Sequence, residues 1–78
     1  MDRYTYFITG VVLQVSKCRA IGFSSETAKP GFSLIIQDHA GNNYFPAFFG
    51  AVAPSVGKSY RFTISNYFLD TVVAYSAI

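Results

Sequence analysis

Tryptophan is absent from this 78-residue chain, cysteine and methionine occur once each, and charged side chains make up only 13% of it. Each shortage excludes something. The lone Cys18 cannot form an internal disulfide, so the chain is no disulfide-stapled secreted mini-protein. Disorder calls for many charges and few aromatics, the reverse of this balance. No apolar run approaches the ~20 residues of a membrane-spanning helix. Asp2 and Arg3 at the start, then Thr9, Gly10 and Gln14, leave no signal-peptide pattern, so a cytoplasmic setting is expected. The six glycines are dispersed and build no phosphate-cradling loop.

Catalytic groups are equally scarce. Asp2, Glu26, Asp38 and Asp70 are scattered, with no evident pair for acid–base work. Cys18 and His39 lack the third group that orients a nucleophile and its base. One Cys and one His do not supply the three or four ligands of a metal site. Neither enzyme activity nor a cofactor is expected, and His39, in a turn, reads as an ordinary exposed imidazole.

What is present is aromatic and apolar. Eight Phe and six Tyr outnumber the ten charged residues, and 51% of the chain is hydrophobic. A chain this short hides only about 60% of its unfolded surface, so residues 1–78 are expected to form one small domain. Net charge is +2. That is compatible with a polyanion partner, but too little for one held by phosphate neutralisation alone.

The pattern reads as strands throughout. Tyr4 to Lys17 is β-branched and aromatic, with Gly10 expected at a bulge or bend. Cys18 to Gly31 loses periodicity and ends on Pro30-Gly31, the signature of a long loop. Phe32, Leu34 and Ile36 then share one face of a strand, and Asp38 to Gly41 makes a turn. Tyr44 to Phe49 returns, with Pro46 marking an edge or bulge. Tyr60, Phe62 and Ile64 alternate with Arg61 and Thr63, and Asp70 to Ile78 supplies a last strand. The expected fold is all-β: five strands closed into a small barrel, with little or no helix between the third and fourth.

The order of these pieces resembles an OB-fold, a five-stranded Greek-key barrel. The likeness rests on Ile8-x-Gly10-x-Val12-x-x-Val15, Phe32-Ser33-Leu34, Asp38, Gly41, Ala47-Phe48 and Gly57-Lys58-Ser59-Tyr60. Among OB-folds it is similar to the single-stranded DNA-binding domains of the replication protein A type. It departs from them in placing Tyr44 where a basic residue is usual, and in leaving almost no room for a helix before strand 4. The resemblance implies sequence-tolerant binding of single-stranded DNA, with RNA as a further possibility. Bases would stack on aromatic rings while basic loops meet phosphates.

The residues implied are Phe48, the counterpart of a base-stacking aromatic in the resembled family, and Tyr44 on the same face. Phe23 joins them from the first loop, with one of the neighbours Tyr67 and Phe68. Lys17, Arg19, Lys29 and Arg61 are the candidate phosphate contacts. So small a domain suits a compact genome such as a virus's. It is expected to act as a homo-oligomer, pairing through the uncharged strand Val72 to Ile78. A competing expectation is a structural or interaction module whose aromatic surface meets protein, since interfaces too are rich in aromatics.

Overall fold

The computed structural model describes residues 4–21, 29–67 and 69–78, with backbone alone for 18–21, 29 and 30. It is all-β, with no helix among the described residues. The strands are β1 (Thr5–Ile21), β2 (Lys29–Asp38), β3 (Asn43–Tyr44), β4 (Ala47–Phe49), β5 (Ser59–Ser65) and β6 (Thr71–Ala77).

The pairings run in a ring. β1 pairs with β2, β2 with β4, β4 with β6, β6 with β5, and β5 with β1. All are antiparallel except β4–β6, which is parallel and joins only Ala47 to Thr71 and Phe48 to Val72. β3 extends the line of β4 along β2. Five strand lines therefore surround the core.

The long strand β1 serves two partners. Its first part pairs with β5 as far as Val11, and from Gly10 onward it pairs with β2. Gly10 and Val11 thus have a neighbour on both edges. A Cβ on Gly10 would sit 2.5 Å from the Gln37 carbonyl oxygen and 3.0 Å from Ile36 Cγ2, so only glycine fits where β1 passes so close to β2. The bulge expected at Gly10 lies three residues later. Between Val12 and Gln14 the register slips by one, and Leu13 is the extra residue.

The long loop expected over 18–31 is corrected at both ends. The ladder continues through Cys18↔Gly31 to Ile21↔Lys29, so β1 and β2 project as a two-stranded arm. Pro30 lies within it because β2's pairing with β4 ends at Gly31, leaving the proline one neighbouring strand among the described residues.

At the far end of β2, Asp38 closes a tight turn. The Gly41 N–H donates to the Asp38 carbonyl (3.1 Å) and the Asp38 N–H to the Asn42 carbonyl (3.0 Å). Gly41 has φ of 90°, the left-handed position a three-residue hairpin loop requires. From this turn the register runs without slip: Ile36↔Tyr44, Ser33↔Ala47, Phe32↔Phe48, Gly31↔Phe49. Pro46 sits inside the line, fully buried, its carbonyl accepting from the Leu34 N–H (3.0 Å).

Alternation then fills the core. Ile8, Val12, Leu34, Ile36, Tyr60, Phe62, Ile64 and Val72 are buried and form one cluster. The shared faces expected from alternation, Leu34 with Ile36 and Tyr60 with Phe62 and Ile64, are the inward ones. Burying a side chain such as Phe62 contributes roughly 2–3 kcal/mol.

Candidate nucleic-acid interface

Strand parity decides which rings meet solvent. Phe48 is the cross-strand neighbour of Phe32, and Tyr44 that of Ile36. Neighbours across a ladder point to one side, so both rings turn toward the core. Phe48 is half-buried, 6.4 Å from the Phe32 ring centroid and 5.6 Å from that of Tyr75, edge-on to the latter. A Cβ on Gly50 would lie 2.9 Å from the Phe48 ring, so the backbone closes over it. Tyr44 is half-buried against the same cluster, and its hydroxyl donates to Asp38 Oδ2 (3.2 Å). The expectation of an open platform built on Phe48 and Tyr44 is therefore corrected: the two do share a face, and it is the inner one.

The residues between them face outward. Phe45 is 69% exposed, and Phe49, in step with it, is half-buried. Along an extended strand these two lie about 13 Å apart. Between them the outer face carries Ala47, Ser33 and Ser16, small and uncharged, in one cross-strand row. Beyond Phe49 the sheet continues as the arm bearing Arg19 and Lys29. Neither ring is among the site residues expected from the sequence. The Asp38–Gly41 turn holds the missing signal: counting back from it puts Phe48 opposite Phe32, on the face Phe32 shares with Leu34 and Ile36, and so sets Phe45 and Phe49 on the other.

The basic candidates divide. Lys17 is exposed and pairs with Phe32, placing it on the inner side of the arm in one row with Phe32 and Phe48. Arg19 and Lys29 belong to the arm strands rather than a loop. Arg61 faces away from the core, as expected, with its guanidinium 5.4 Å from the Phe7 ring centroid. That contact is on the β1–β5 ladder, away from β2, β3 and β4. Phe23 and Phe68 lie outside the described residues. Tyr67, in the β5–β6 connection, is 76% exposed and meets Tyr4 edge-on at 5.0 Å.

Titratable groups serve the scaffold. Asp38 Oδ1 accepts from the backbone N–H groups of Ala40 (3.0 Å) and Asn42 (2.9 Å), and Oδ2 from Asn42 Nδ2 (3.1 Å). Hydrogen bonds from Asn42, helped by Tyr44 and Ala40, hold its carboxyl below the usual value. The same contact raises the Tyr44 phenol, because an ionised ring could not donate to a carboxylate. The Tyr60 hydroxyl accepts from the Ser55 N–H (3.0 Å), which lowers that phenol. A shallow cavity of about 390 Å³ bordered by Thr9, Gln37, Asp38, His39 and Ser59 lies at the turn end of β2, opposite the arm. Its carboxylate is already engaged in the turn. Among the described residues no group of His, Cys, Asp and Glu could hold a metal ion, and no helix is long and apolar enough to cross a membrane.

No protein-family model, curated protein or solved structure matches this chain.

Proposed function

We propose that this chain is a minimal OB-type barrel that binds single-stranded nucleic acid, DNA foremost, with little sequence preference. The ring order supports the fold reading: a bent first strand shared by two ladders, and one parallel pairing between the third and last strand lines. The observation that carries the functional reading is Phe45, a phenyl ring left 69% exposed on the outer face of β2–β3–β4. A single-strand binder needs such a ring, because stacking one base on an aromatic face contributes ~1–3 kcal/mol whatever the base. Phe49 offers a second, partly covered surface further along. Arg19 and Lys29 on the arm, with Lys17 on its underside, provide cations for the phosphates beside them, and the exposed Tyr67 is a candidate clamp.

The test is a fluorescence titration of tyrosine emission with oligo-deoxythymidine at two salt concentrations. Quenching that saturates at a fixed number of nucleotides, with the affinity weakened in Phe45→Ala, is the expected result. Absence of quenching, or a salt slope near zero, would remove nucleic acid as the ligand. The uncharged strip Ser16–Ser33–Ala47 favours a protein partner as the second reading, and a silent titration would favour it.

A further inference from the structure

β6 is paired along its whole length on one side only. β5 matches it from Thr71↔Ser65 to Ala77↔Tyr60, whereas β4 reaches only Thr71 and Val72. The directions of the remaining backbone groups follow from the ladder. The Ile78 N–H donates to the Ser59 carbonyl (3.5 Å), so residues 78, 76 and 74 turn their amides and carbonyls to β5. The amides and carbonyls of Tyr75 and Ala77 therefore face the other edge, where no strand among the described residues pairs with them.

Natural sheet edges are blunted by charge, proline or an inward-pointing Lys. From Thr71 to Ile78 this edge has no charged residue and no proline. Its one irregularity is the register slip at Val73, which is 59% exposed. Ala74, Ser76 and Ala77 are small and exposed, and Ile78 is 77% exposed.

We infer that the β6 edge over residues 74–78 is a dimerisation surface and that its occupant is a second copy of this chain. Antiparallel pairing centred on Ser76 sets Tyr75 of each copy opposite Ala77 of the other. The free amide and carbonyl of both residues then meet their counterparts in hydrogen-bonded pairs. A small methyl faces a ring, no like charges meet, and Ile78 of each copy comes beside Ala74 of the other. A segment neutral throughout is compatible with its own two-fold image, whereas a strongly charged partner strand would find nothing on this edge to complement it. The inference is independent of nucleic-acid binding and rests on β6 alone.

The experiment is light scattering coupled to size exclusion over a range of concentrations, on the whole chain. The expected result is a species of twice the 8.6 kDa chain mass. Ala77→Pro removes a free-edge N–H and leaves the bonds to β5 in place, a position where an edge strand tolerates proline. Ser76→Lys, at an exposed position, sets two like charges face to face at the two-fold centre. Both variants are expected to run as monomers with unchanged β-sheet circular dichroism. A wild-type chain that stays monomeric at every concentration overturns the inference, as does a dimer that survives either folded variant, since its contact then lies elsewhere. Should Ala77→Pro fail to fold, Ser76→Lys decides alone.

Discussion

At the residue scale, two phenylalanines three positions apart have opposite assignments. Phe45 is exposed and touches little, so Phe45→Ala is expected to change stability by no more than about 0.5 kcal/mol. It should nevertheless weaken oligo-deoxythymidine binding by ~1–3 kcal/mol, a factor of roughly 5 to 150. Phe48→Ala should do the reverse. It empties a half-buried site between Phe32, Tyr75 and Gly50, costing about 2–3 kcal/mol in urea unfolding, with binding preserved in the molecules that stay folded. Equal losses of affinity in the two variants would contradict the parity assignment. Asp38 gives a pH signature. Its carboxyl is held low by hydrogen bonds in the folded state, so the stability it contributes is present above the unfolded carboxyl value, near 4, and is lost as pH falls through the folded one. Asp38→Asn should flatten this acid limb of the stability curve. It sets an amide against Asn42 Nδ2 and the Tyr44 hydroxyl, so its neutral-pH stability should fall as well. Tyr44 acts at the other extreme. Its raised phenol contributes below about pH 10, and that contribution fades as pH rises through the folded value.

At the scale of elements, β1 depends on one glycine. Gly10→Ala would press a methyl against the Gln37 carbonyl and Ile36, and neither backbone atom nor packed core residue can move aside without cost. The expected loss is about 1–3 kcal/mol, read as a lower urea midpoint with an unchanged slope. Much of this element level was legible beforehand. The alternation of Phe32, Leu34 and Ile36, and of Tyr60, Phe62 and Ile64, placed two core strands, because a half-buried strand must repeat every second residue. The Asp38–Gly41 turn was legible too, since an Asp that accepts backbone amides and a glycine in the left-handed region leave a local mark. The arm was not. Ser24, Ser25, Thr27 and Pro30-Gly31 carry loop-like local preferences, and pairing across 18–31 is a cooperative feature of two segments that neither declares alone.

At the scale of the whole molecule, low charge limits how much salt can matter. Three or four phosphate contacts from Lys17, Arg19, Lys29 and Arg61 give a slope of roughly −2 to −3 in log affinity against log salt. Arg61 stands on the β1–β5 ladder, stacked on Phe7, apart from the other three. Arg61→Ala should therefore leave the slope nearly unchanged, whereas Lys29→Ala should reduce its magnitude by about 0.7. A slope that responds equally to both would mean that the strand of nucleic acid wraps further round the ring than the β2–β4 face.

The sequence by itself determined that this chain is all-β, which side chains of its alternating strands share a face, and that aromatic rings outnumber charges. Those follow from composition and from a period of two, both properties of short stretches. Which rings are open was decided only by tertiary structure. Facing direction at Tyr44–Phe49 is inherited from β2 through the register of the turn, and so is the fact that Phe45, not Phe48, reaches solvent. The edge of β6 that no strand among the described residues pairs is likewise a property of the ring, because it exists where β4 ends and not in any feature of residues 74–78 themselves.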